Sequence, residues 1–147
     1  MPEEKPVERA REDEREGLSP STQAGEFVRE EMEHIREGEH GARSPEQAIA
    51  IGLSKARRAG VKLPPPKRGK SRNKRQAKRD LAKGRRPKKP SRRRSRAVRG
   101  ALKRESRRSA SRQALSQQAK RAARRRSAAS RSAAARKAAQ TRKRRRH

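Results

Sequence analysis

The side chains of this sequence with the clearest chemistry are its guanidinium and ammonium groups, and their placement says what they act on. Residues 47–147 hold forty Lys and Arg against two carboxylates, Asp80 and Glu105, a net charge of +38. Residues 1–46 hold fourteen of the sixteen carboxylates and seven Lys and Arg, a net charge of −7. A hundred-residue run of one sign repels itself and calls for a polyanion, of which nucleic acid is the commonest in a cell. Arg outnumbers Lys by 33 to 14. The Arg fork takes phosphate oxygens two at a time and enters narrow minor grooves.

The densest cations are the candidate nucleic-acid contacts. They are Arg92, Arg93, Arg94, Arg96, Arg99, Lys103, Arg104, Arg107 and Arg108, then Lys120, Arg121, Arg124, Arg125 and Arg126, and last Arg142, Lys143, Arg144, Arg145 and Arg146. Phosphate contacts position a protein without reading sequence. No Trp or Tyr is present, and Phe27 is the one aromatic residue. Stacking platforms for single strands are therefore missing, which leaves backbone-directed binding of duplex.

Other chemistry is poorly supplied. Glu31 and His34 form a single Glu-x-x-His with His40 nearby, whereas di-metal helical proteins use that motif twice. The expected reading is solvated charge and no metal site. Three histidines, the third being His147, give no catalytic triad. No Gly-rich phosphate loop and no Cys occur. The sequence predicts no catalytic residue, no cofactor and no small-molecule substrate. Ser beside Arg, as at Ser95, Ser106 and Ser132, reads as flexible filler.

Local signals place the elements that would carry these groups. Residues 1–18 are a mixed-charge arm, expected to be disordered. In residues 19–63, Ser19-Pro20 opens a helix and Gly38 closes it, with Ala24, Phe27, Val28, Met32 and Ile35 on one stripe. Ser44-Pro45 with Gln47 opens a second helix through Ile49, Ile51, Leu53 and Ala56, and Gly60 closes it. This hairpin is expected to be marginal alone. Its apolar face, Phe27, Val28, Met32, Ile35, Ile49 and Leu53, is the expected partner surface, including for a homodimer. Residues 64–90 read as a basic linker stiffened by Pro64–Pro66, Pro87 and Pro90, with helix formers over Arg72–Lys83.

Residues 91–147 are rich in Arg, Ala and Ser. Ala and Arg favour helix, around Val98–Leu102 and Leu115–Ala123, yet neighbouring cations repel along it. The expected fold class is mainly α: a short helical hairpin followed by a long basic, largely disordered tail with helix propensity. Low hydropathy with high net charge supports that expectation.

The stretch Ser19–Glu31, with Ser-Pro-Ser-Thr-Gln-Ala-Gly-Glu-Phe, and the stretch Gly41–Gly60, with Gln-Ala-Ile-Ala-Ile-Gly-Leu-Ser-Lys-Ala-Arg, resemble a family of small basic bacterial proteins of uncharacterised function. Some relatives in that family carry labels such as DNA-binding or plasmid stabilisation. The tail separately resembles, in composition, linker histones and bacterial histone-like proteins, though it is richer in Arg. The combined expectation is a nucleoid-associated protein that binds duplex DNA without sequence preference. RNA or ribosome association is the second reading, and a protein-interaction module tethered to nucleic acid the third. With no apolar run beyond the six residues Ala48–Leu53 and no apolar leader, a soluble, cytoplasmic protein without membrane contact is expected.

Overall fold

A computed structural model of the protein describes residues 4–86 and 89–146. Pro87 and His147 lie outside them. Seven α-helices and one 3-10 turn are present among the described residues: α1 (Glu4–Arg15), α2 (Pro20–Glu37), α3 (Pro45–Arg58), α4 (Ser71–Arg85), α5 (Arg92–Lys103), the turn at Arg108–Ala110, α6 (Arg112–Arg124) and α7 (Ala128–Arg145). The chain divides into two compact units, residues 1–111 and 112–147.

The central hairpin forms where the local signals place it. Ser19 Oγ accepts from the Thr22 amide, and Pro20 occupies the first turn of α2. Gly38 adopts φ +85°, and the Glu39 amide reaches back to the His34 carbonyl at 3.0 Å. Ser44 Oγ accepts from the Gln47 amide at 3.1 Å. Gln47 Oε1 in turn accepts from the Arg43 amide, one residue ahead of the usual capping-box partner. At the far end Gly60 adopts φ +105°, and the Val61 amide bonds the Ala56 carbonyl at 3.0 Å, a Schellman ending. The two helices approach closely because Gly52 has no side chain; a Cβ there would lie 2.7 Å from Val28 Cα.

The expectation of a disordered arm and a largely disordered tail is overturned. Residues 4–15 are helical and pack on α2. Pro6 and Ala10 are buried, and Ala10 joins Ala24, Phe27, Ala56 and Val61 in the core. Arg9 spans to α2, with Nε 3.0 Å from Glu26 and Nη2 3.0 Å from Glu30. A charged arm thus orders without a broad apolar face because one of its few cations pairs with two carboxylates of α2.

The basic segment is helical for related reasons. α4 packs on α3. It buries Ala77 and Asp80, and Asp80 accepts from Ser54 Oγ at 2.7 Å and from Gln76 Nε2 at 3.1 Å. At the end of α3, burial pushes the Arg57 guanidinium below its ordinary pKa, and the Asp80 carboxylate opposes the shift. Arg57 donates to the Leu63 and Pro64 carbonyls, each at 3.1 Å, and so ties the proline run to α3. Ser91 caps α5 through the Arg94 amide, and Ser127 caps α7 through the Ser130 amide. Such caps, with the high propensity of Ala and Arg, outweigh the repulsion of neighbouring cations.

The hairpin does not stand alone. Its loop, residues 38–43, joins the end of α5 and the segment after it by backbone bonds. The Gly41 amide donates to the Leu102 carbonyl at 2.8 Å, and the Ala42 amide to the Ser106 carbonyl at 2.9 Å. Ser109 Oγ donates to the Ala42 carbonyl, and Arg36 Nε to the Ala110 carbonyl at 2.9 Å. Among the described residues no helix is long and apolar enough to cross a membrane.

Candidate functional site

All nineteen cations singled out from the sequence are exposed. Helical structure sorts them. Arg92, Arg93, Arg94, Arg96, Arg99 and Lys103 lie on α5, where no residue is buried. Arg104, Arg107 and Arg108 lie in the segment that docks on the hairpin loop. Lys120, Arg121 and Arg124 lie on α6, with Arg125 and Arg126 just beyond it. Arg142, Lys143, Arg144 and Arg145 form the last turn of α7, and Arg146 caps it. Neither α6 nor α7 buries a residue.

The six apolar positions expected as a partner surface divide differently. Phe27, Met32 and Ile35 are buried within the first unit, while Val28, Ile49 and Leu53 are half-buried. Much of that face is therefore spent on the protein's own helices.

Within the first unit the structure brings together groups that are far apart in sequence. A cavity of about 840 Å³ lies between the α2–α3 hairpin and α5. Lys55 and Arg58 of α3 line one side, and Arg94, Arg99 and Lys103 of α5 line the other. Ile51, Val98 and Leu102 supply apolar wall, and Val98 is 55 % exposed. Two sets of like charge facing across one space favour an anion between them.

The lining also includes Glu31, His34, Glu39 and His40. Glu31 is 1 % exposed and pairs with Lys55, whose Nζ lies 2.7 Å from Oε2. His40 Nε2 lies 2.7 Å from Glu31 Oε1, and its Nδ1 lies 2.9 Å from the Gly41 carbonyl oxygen. The two imidazoles meet edge to face, 6.2 Å between centroids. His34 has Glu30 at 3.6 Å and Glu39 at 3.7 Å from its two ring nitrogens.

Sequence reasoning noticed Glu31, His34 and His40 but read them as solvated charge. It missed that this face of α2 is covered and that the Gly38 reversal turns His40 back over it. The i, i+3 spacing of Glu31 and His34 with a glycine turn before His40 was the available signal. The facing of Lys55 and Arg58 toward the cations of α5 left no local trace.

No curated protein and no solved structure matches the chain. Residues 20–68, which carry α2, α3 and the proline run, match a family model described as "Family of unknown function (DUF6496)".

Proposed function

We propose that the protein binds duplex nucleic acid, DNA in the first place, through phosphate contacts of its basic helices and without sequence preference. One observation carries the reading: α5, α6 and α7 bury no residue and project cations into solvent. An α-helix fits the major groove of B-DNA, and cations around a helix reach phosphates on both walls. Preformed helices also present their charges without the ordering cost of a flexible segment. The cavity between α3 and α5 adds a second phosphate-compatible surface, because Arg58, Arg94 and Arg99 line it. The sole aromatic residue, Phe27, is 3 % exposed, which speaks against stacking on single strands.

The compositional likeness of residues 91–147 to linker histones fits the same reading and suggests association with the nucleoid. The acidic α2 and α1 carry few phosphate-compatible groups and leave a surface for other contacts. Gel-shift titration on unrelated duplexes tests the proposal. Equal affinities and a log–log salt slope steeper than about −5 are expected. A strong preference for one site, or structured RNA displacing duplex DNA at equal phosphate, overturns it.

A further inference from the structure

We propose that the cavity between α3 and α5 is a groove for an acidic amphipathic helix of a partner protein. Its two helical walls are built alike. Ile51 of α3, with Val98 and Leu102 of α5, gives the cavity apolar lining. Lys55 and Arg58 follow Ile51 along α3 at helical spacing, and Arg94, Arg99 and Lys103 flank Val98 and Leu102 along α5.

The apolar lining between cations carries the inference. Val98 is 55 % exposed, and among the described residues it is the one large apolar side chain left so open. Ile51 and Leu102 are half-buried. Phosphate gains nothing from these groups, so nucleic acid lying across the cavity leaves them uncovered. A peptide helix with apolar residues at i, i+3, i+4 and i+7 covers them. Arg94 to Lys103 spans about 14 Å of helix, which matches an incoming segment of about three turns.

The charge selects the sign of that helix. Lys55 is held by Glu31, with Nζ 2.7 Å from Oε2. Arg58 donates to the Ser54 carbonyl of its own helix at 3.4 Å. Among the described residues, Arg58, Arg94, Arg99 and Lys103 have no carboxylate within ion-pair reach. These four cations are open to carboxylates from outside. Glu or Asp beside the apolar stripe of an incoming helix meets them on both walls, and a basic segment is repelled. A second copy of the chain does not supply such a helix. Its acidic helices are α1 and α2, and their apolar residues are turned inward: Ala10, Phe27, Met32 and Ile35 are buried, and Val7 and Val28 are half-buried. The helices after them carry net positive charge. The occupant is therefore another protein, and the groove does not depend on duplex binding elsewhere on the chain.

The test uses the full-length chain, freed of nucleic acid by high salt and returned to moderate salt. The probe is a fluorescent synthetic peptide of Glu and Leu, about three turns long, with its Leu on one face. A control peptide of the same composition spreads its Leu around the helix. Anisotropy titration should show the amphipathic peptide binding about tenfold more tightly than the control. Val98→Ser should weaken the amphipathic peptide by about fivefold and leave the duplex gel shift unchanged. Equal affinity of the two peptides, or an unaltered preference in Val98→Ser, overturns the proposal. A Val98→Ser loss seen for duplex and not for peptide gives the cavity to nucleic acid and also overturns it. So does a dimer of the free chain that Val98→Ser dissociates, which gives the cavity to a second copy. Should Val98→Ser lose helicity, hydrogen exchange on the unaltered chain decides. The amphipathic peptide must slow exchange in α5 more than the control does, and equal rates refute the groove.

Discussion

Asp80 of α4 reaches back twenty-six positions to Ser54 of α3, with Oδ2 accepting from Oγ at 2.7 Å. It is one of two carboxylates in the last hundred residues, and it is 2 % exposed. Its place explains its rarity: it is the acceptor that lets a basic helix dock where Arg57 is buried. Replacing Asp80 with Ala leaves Ser54 unpartnered and Arg57 without its nearest carboxylate, and should cost about 2–4 kcal/mol. Thermal melting of the full chain measures the loss, and limited proteolysis should cut first within residues 64–86.

Two glycine substitutions should act in opposite directions. A Cβ at Gly52 would meet Val28 Cα at 2.7 Å and Cγ2 at 2.9 Å, both across a helix contact. Gly52→Ala should therefore destabilise by about 1–3 kcal/mol, despite the better propensity of Ala. Gly100, in α5, has open space around its Cβ position. Gly100→Ala should raise the stability of α5 by about 0.5–1 kcal/mol. Denaturant melts of the two variants, compared with the parent, check both signs.

The boundaries of α2 and α3 were legible because capping is local chemistry. Ser19, Pro20 and Gly38, then Ser44, Pro45 and Gly60, each act on neighbours a few residues away. The docking of α1 was not legible, because Arg9 among many charges looks the same whether it is solvated or paired with Glu26 and Glu30. The union of residues 38–43 with 102–110 was hidden for a different reason. Its bonds run largely between backbone groups, which any residue supplies. In the candidate site the exposed cations were legible from their density. The Glu31–His34–His40 group was not, because burial of one helix face depends on what covers it.

Helix α7 depends on its cap more than on packing, since it buries no residue. Ser127 Oγ accepts from the Ser130 amide at 3.1 Å. Ser127→Ala should remove about 1 kcal/mol from that helix. Far-ultraviolet circular dichroism should show less helix in the variant at equal temperature, and added duplex should restore part of it.

The final turn of α7 offers a measurement of phosphate contacts. Converting Arg142, Arg144, Arg145 and Arg146 to Gln removes four exposed cations and leaves the core untouched. If each meets one phosphate, the log–log salt slope should become shallower by about three to four. Affinity should fall alike on every duplex. A loss confined to one sequence would point to base contacts.

Arg36 bonds the Ala110 carbonyl across seventy-four positions, and Ser109 bonds the Ala42 carbonyl across sixty-seven. Loop closure over such spans is entropically slow. A nascent polypeptide leaving the ribosome can build its first three helices early. It cannot latch them until Ser109 and Ala110 have been translated. During that interval the acidic amino-terminal portion waits, half finished, for a strongly cationic segment synthesised long after it.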